Sequence, residues 1–317
     1  MQVRLCYHNR CFDGTASAAV FQRFYQERIR PDNQFRYRGL THRATAPFDA
    51  DIFDGDENVI VDFKYSSSPR LTWWFDHHQS AFLSPEDAEH FRRDTSGRKF
   101  YDPSYKSCTK FLASVARERF GFDSRPLAEL IEWADIIDGA QYPSAEVPVK
   151  MEAPALQIAL VLEAGPEDDF SARLIPQFAT RPLAEIAREP ETAEEFKRLF
   201  RHHQDSIAII QKQAEYTRDV VYYDLIDHGF EGYSKFIPYY LFPDSSYSIG
   251  LSRSSERVKI AVGSNPWSET AKDKNLASIC ERYGGGGHAR VAAISFDPAQ
   301  IETARQAARE IAEELRR

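Results

Sequence analysis

Apolar and polar positions along the chain fall into two regimes. In the first, short apolar runs alternate with longer stretches of helical period. Val3–Tyr7 alternates weakly and reads as a first strand. A polar loop, 8–14, leads into the small-residue run Thr15–Phe21, which opens a helix reaching about Ile29 and stopping before Pro31. Residues 35–38 are a candidate strand, and 49–56 an acidic surface crossing. Val59–Val61 fits a buried strand ending in Asp62, and Trp73–Phe75 leads into Asp76-His77-His78. The charged stretch 87–99 has no clean period and reads as exposed. Helical recurrence returns at 107–120, closed by Gly121, then at 127–137 and 155–163. A long charged helix over 192–217 connects two domains, and His202 and His203 within it read as structural or surface residues.

Beyond it the second regime begins. Strand-like runs at 220–223, 239–242, 247–251 and 258–262 are bounded by Gly, Pro, Asp or Ser. A helix over 275–283 precedes four glycines and His288, and a strand (291–296) and a helix (299–315) follow. Strand–loop–helix units are the opening of an α/β fold, and 317 residues exceed one typical domain.

Composition narrows the function. The formal net charge is -8 despite 40 Lys and Arg, which argues against tight non-specific binding of long duplexes but leaves room for a local cationic pocket. Four scattered cysteines (Cys6, Cys11, Cys108, Cys280) form neither a disulfide framework nor a CxxC pair. With no export signal and no apolar run of membrane-spanning length, a cytoplasmic location is the expectation.

Three loops after strand-like segments carry His8 with Asp13, Asp62, and Asp76 with His77, and a helix adds Asp135. Strand ends of a doubly wound sheet converge on one crevice. Carboxylates and imidazoles gathered there suit divalent ions, and two ions ~3.5–4 Å apart can activate water and neutralise a phosphoryl group. Singly each residue has a bland reading: a hydrogen-bonded histidine, a helix cap at Asp13, a solvated Asp135. The glycine run lets backbone N–H groups approach a ligand, and His288 adds a donor that suits phosphate. The alternative is a flexible turn. Arg253 is a candidate second clamp, and Trp267 is either a base-stacking wall or core.

Asp76-His77-His78 after Asp62, with His8-x-x-x-x-Asp13-Gly14 and a late Gly-Gly-Gly-His, resembles the DHH phosphoesterase family with a C-terminal DHHA1 domain. The resemblance implies a parallel-sheet DHH catalytic domain (1–190), a linker helix (191–217) and a smaller mixed α/β DHHA1 substrate domain (218–317), with a cleft between the domains. It implies two manganese ions, with magnesium, zinc or ferrous iron as second choices. His8, Cys11 and Asp62 would surround the first, and Asp13, Asp62, His77 and Asp135 the second. Asp62 would serve catalysis between them, Asp76 would orient His77, and His78 would contact the scissile phosphate. Gly286, Gly287 and His288, assisted by Arg253, would hold the substrate's non-scissile end.

This chain departs from the pattern at Cys11, where most members carry Asp. A thiolate is a softer ligand that favours zinc or iron, or Cys11 does not ligate and Asn9 compensates. Val291-Ala292-Ala293 replaces the usual Ala-Ala-Gly, and Asp138 competes with Asp135 as the fourth acid. The expected activity is metal-dependent hydrolysis, as a phosphodiesterase, phosphatase or exonuclease, of short oligonucleotides, linear dinucleotides or nucleotide 3′,5′-bisphosphates. A pyrophosphate or short-polyphosphate hydrolase is one alternative. A non-catalytic nucleotide-binding protein with a degraded first metal site is another. The expected partner is a small phosphorylated ligand or very short single strand, with a homodimer as default assembly.

Overall fold

A computed structural model describes the chain apart from residues 43–47, 50, 166–168, 230–231 and 270–273. The chain divides into two compact units: Met1–Tyr142 with Glu152–Lys197, and Pro143–Met151 with Arg198–Arg317. Among the described residues no helix is long and apolar enough to cross a membrane.

The first unit is built on five parallel strands, β1 (Gln2–His8), β2 (Gln34–Leu40), β3 (Glu57–Val61), β4 (Trp73–Asp76) and β5 (Lys99–Tyr101), in the order β2-β1-β3-β4-β5. Val59–Val61 and all of β4 are buried, which is why they read as unbroken apolar runs rather than alternations. Helix α1 (Phe12–Arg28) lies between β1 and β2 in sequence, and its small residues Gly14, Ala16, Ser17, Ala18 and Ala19 are all buried. A Cβ on Gly14 would stand 2.2 Å from the His8 carbonyl oxygen, so glycine is required where the helix start meets the end of β1. Helices α2 (Pro85–Arg92), α3 (Cys108–Phe120) and α4 (Ala128–Asp138) follow. Buried Ser17 and Thr109 join α1 to α3 through hydroxyls 3.0 Å apart. The stretch 87–99 is therefore not irregular: it holds most of α2, capped by Ser84, and the first residue of β5.

Four short helices come next: α5 (Glu146–Lys150), which belongs to the second unit, then α6 (Pro154–Ala164), α7 (Phe170–Phe178) and α8 (Leu183–Ala187). The long helix α9 runs Pro190–Gln213, with Lys197 the last residue of the first unit. It ends before the expected 217, because Glu215–Thr217 pairs as the edge strand β6.

The second unit carries a mixed sheet in the order β10-β11-β9-β8-β7-β6. Its strands are β6, β7 (Val220–Asp224), β8 (Tyr247–Arg253), β9 (Val258–Ser264), β10 (Gly286–His288) and β11 (Val291–Phe296). Only the β7–β8 pair is parallel. The expected strand at 239–242 is instead part of a short helix, α10 (Ile237–Leu241), where Pro238 in the first turn presets a helical φ. Helix α11 (Leu276–Glu281) precedes the glycines, and α12 (Ile301–Leu315) buries Ala304, Ala308 and Ile311 with Ile249, Leu251 and Ile260 in one core. The apolar stripe of α12 and the inner face of the sheet thus fold together.

Candidate metal centre

Register brings the first group together. Tyr7 pairs with Val61 and Val61 with Phe75, so His8, Asp62 and Asp76 stand in one row at the carboxyl ends of three adjacent strands. Asp62 turns out of β3 in a left-handed backbone conformation, φ 56°. For a side chain other than glycine that costs about 1–2 kcal/mol, a strain typical of functional positions. Its carboxylate is 1% exposed, with Oδ2 at 3.4 Å from His8 Nδ1 and accepting from the Cys11 thiol at 3.8 Å.

His77 organises the rest. Its Nδ1 donates to the Tyr105 carbonyl at 3.2 Å, which turns Nε2 inward. Nε2 then faces Asp138 Oδ2 at 3.4 Å, Asp62 Oδ1 at 3.5 Å and Asp13 Oδ2 at 3.8 Å. Both Nε2 and Asp62 Oδ1 are buried without a hydrogen-bond partner. Buried groups of that polarity are costly unless a hydrogen bond, a counter-charge or a bound cation satisfies them. Asp13 is fixed from behind, since its two oxygens accept the backbone N–H of Cys108 at 2.7 Å and Thr109 at 3.0 Å, at the start of α3.

Three overlapping triads result: His8, Cys11 and Asp62; Asp62, His77 and His78; Asp13, His77 and Asp138. Within each, one donor atom per residue lies within 4.8 Å of the others. Asp62 and His77 are each shared by two triads. Carboxylate and imidazole donors around orphaned atoms fit a divalent cation such as manganese, magnesium or zinc.

The charges answer to one another. Burial pushes the Asp13 carboxyl well up, and the carboxylates of Asp62 and Asp138 add to this. Burial and Asp62 likewise raise Asp138 to about 6. Burial also opposes the Asp62 carboxylate, but the imidazoles of His77, His8 and His78 beside it override this and hold that group low. For His77 burial opposes the imidazolium, yet Asp62, Asp13 and Asp138 outweigh it and raise the ring to about 10. Burial keeps Cys11 a thiol, and the nearby Asp62 and Asp13 reinforce that.

Asp135 is not in this group. It is bound by Lys110 Nζ at 2.5 Å and by the Ser107 hydroxyl at 3.3 Å, and Asp138 occupies the place expected of it. Asp76 also differs from expectation. Its Oδ1 accepts from His78 Nδ1 at 2.7 Å and from the backbone N–H of His77, so it orients the His78 ring and not that of His77. That hydrogen bond raises the His78 pKa, against burial. Asn9 packs against Gly39 of β2, where a Cβ would stand 2.6 Å from its Cγ.

One neighbour carried no signal in the sequence. His42, exposed after β2, has its ring centroid 5.0 Å from His8 and 4.9 Å from Phe63, nearly parallel to the latter. Burial lowers its pKa, as do the charges of His8, Lys64 and His78. Only the placement of its ring against Phe63 and His8 reveals it.

In the second unit the four glycines run from a turn into the strand β10. Gly284, at φ 76°, closes the turn after α11. A Cβ on Gly285 would meet the Ala293 carbonyl at 2.4 Å, and one on Gly287 the Val291 carbonyl at 2.5 Å, whereas at Gly286 it would meet nothing. Close approach to the backbone of β11, just before β10 and within it, thus accounts for two of them. His288 is exposed and pairs with Val291. Arg253 pairs with Val258, which pairs with Phe296, at the far end of β11 from Val291. Five residues of strand, about 17 Å at ~3.3 Å per residue, separate the row of Arg253 from that of His288. Trp267 packs beside Phe236 and Tyr239, with centroids 5.8 and 6.5 Å away, and is half-buried. His203 is structural, as expected: its Nε2 donates to the Val149 carbonyl at 2.8 Å.

No protein-family profile and no curated protein matches the sequence. Solved structures do. A pGpG-specific phosphodiesterase, PggH from Vibrio cholerae, superposes with a TM-score of 0.68 at 19% identity, over 97% of each chain. The DHH domain of a protein described as a member of the s1p family of ribosomal proteins gives 0.54 at 12% identity, covering 98% of this chain and 86% of that one. RecJ from Thermus thermophilus, in complex with Mn2+, gives 0.54 at 13% identity; this chain is covered over 99% but spans only 52% of RecJ. The chain has the fold of the DHH proteins. That fold comprises a parallel-sheet unit, a mixed-sheet unit and connecting helices.

Proposed function

We propose that this chain is a DHH phosphoesterase that hydrolyses a phosphodiester in a linear dinucleotide or a very short oligonucleotide, using divalent cations, manganese first and two of them. The observation that carries the reading is His77 Nε2, orphaned and aimed at three carboxylates. His8, Cys11 and Asp62 would hold one cation, and Asp13, Asp62, His77 and Asp138 the other. When bound, such ions supply Lewis-acid polarisation of the phosphate and a nucleophilic water at neutral pH.

The chain's own groups position and move protons. Asp62, buried, is the carboxylate shared by both groups of candidate ligands. His78 is turned by Asp76 so that Nδ1 is engaged and Nε2 is left for the substrate, where it can give a proton to the leaving oxygen. Gly286, Gly287 and His288 are the candidates for the substrate's non-scissile end, with Arg253 further along the same sheet.

Two features favour a small substrate. The net charge of -8 supplies no extended basic track. The chain superposes over nearly its whole length on a pGpG-specific phosphodiesterase. The test is hydrolysis of a linear diribonucleotide to mononucleotides. Manganese should support it, a chelator should abolish it, and Asp62→Asn should reduce it to background. Full activity of Asp62→Asn, or turnover in excess chelator, refutes the assignment.

A further inference from the structure

His42 lies outside every triad of metal-ligating groups, yet its ring is held against them. One face lies on Phe63, with centroids 4.9 Å apart and planes 23° from parallel. The His8 ring meets it edge-on at 5.0 Å and 63°. Phe63 is 1% exposed and is backed in turn by Phe48, 6.2 Å away and close to perpendicular. An aromatic layer therefore supports His42 from beneath and from one side. His42 itself is exposed. A surface side chain ordinarily loses rotamer freedom only on binding. This one is already restrained by ring contacts, beside a residue proposed to hold a cation, which lowers the entropy lost on stacking.

We propose that the outward face of His42 is the stacking platform for the nucleobase adjoining the scissile phosphate. The proposal rests on the nucleotide reading above and adds a recognition element to it. A planar ring beside the centre accepts any base through its π-face, and stacking of this kind contributes about 1–3 kcal/mol per base. It gives affinity for nucleotides over base-free sugar phosphates and little discrimination among bases.

The test compares the native chain with His42→Ala and His42→Phe by direct binding. The probe is 2-aminopurine riboside 5′-monophosphate, whose fluorescence is quenched on stacking, with manganese present. The native chain and His42→Phe should quench it, and His42→Ala should not. Competition should show AMP displacing the probe at least about ten-fold better than ribose 5-phosphate in the native chain and in His42→Phe. In His42→Ala that ratio should collapse toward one, while manganese affinity by titration calorimetry stays within about two-fold. An unchanged ratio in His42→Ala overturns the proposal. So does an equal loss for AMP and ribose 5-phosphate, which means a phosphate contact, or a loss of manganese binding, which means a prop for His8. The hydrolysis test with Asp62→Asn reads the parent assignment independently. Retained dinucleotide hydrolysis with an unchanged binding ratio in His42→Ala removes the platform and leaves the phosphoesterase standing.

Discussion

His77 Nε2 stands 3.4 Å from Asp138 Oδ2, although Asp135, one helical turn earlier on α4, had equal claim to that place. The arbiter is Lys110 on α3, which captures Asp135. Asp138→Asn should therefore weaken manganese binding by more than the roughly 10–100-fold typical of an outer partner of a metal ligand. Asp135→Asn should leave that affinity near native. It should lower stability by about 0.5–1 kcal/mol at most, because Lys110 is 52% exposed and its ion pair is screened. Calorimetric metal titration and thermal unfolding of both variants check this, and the reverse ranking would show Asp135 to be the ligand.

Protonation competes with metal at the same atom. With the His77 value at about 10, the ring of the cation-free protein carries a proton on Nε2 at pH 7, and a bound ion must displace it. Affinity should rise by roughly ten-fold per pH unit from about 7 to 9 and level off above about 10. Below pH 6 the slope should steepen, as Asp138, raised to about 6, also binds a proton. In the cation-free protein the sign for stability is opposite. A ring raised from 6.5 stabilises the fold fully below that value, and the contribution is lost as pH rises through about 10. Proton release measured in buffers of different ionisation heat should be close to one at pH 7.5. A value of zero contradicts the placement of the proton.

Cys11 makes the two candidate cation sites chemically unequal. Its sulfur stands beside Asp62 and His8, whereas the Asp13, His77 and Asp138 group contains no sulfur. Cobalt(II) should give a near-ultraviolet thiolate charge-transfer band in the native chain that Cys11→Ser lacks. Cys11→Asp should shift preference from zinc toward manganese and magnesium. Identical spectra of the native and Cys11→Ser proteins would remove Cys11 from the ligand set.

The glycines separate by thermal unfolding. Gly285→Ala and Gly287→Ala drive a methyl group into the β11 backbone and should cost about 1–3 kcal/mol. Gly286→Ala meets open space and should leave the midpoint unchanged, so any loss of substrate affinity in that variant reports on binding alone.

Much of this was legible in the chain because burial writes itself into composition. Val59–Val61 and Trp73–Phe75 are enclosed on both faces, so their apolar runs and the acids that end them were plain. Other features depend on contacts that sequence does not encode locally. Residues 135 and 138 differ by about 60° around a helix, and no periodicity chooses between them. The apolar run 239–242 is too short for its period to separate helix from strand. Arg253 was set apart from His288 by strand register, which is fixed only once β8, β9 and β11 pair. The helix α2 was different, for Ser84-Pro85-Glu86 is a capping signature that local reading can find.

The left-handed turn at Asp62 has a consequence for which sequences can occupy that position. Asn and Gly tolerate such a backbone, whereas Val, Ile and Thr are excluded by their branched side chains before any chemistry is considered. Arg10, Ala140 and Met151 hold the same backbone region elsewhere in this chain, so a library randomised at this codon and sorted only for folded protein should lose chiefly the β-branched residues, and sorting the same library for turnover should leave Asp alone. The gap between those two populations measures how far architecture and reactivity constrain one residue separately.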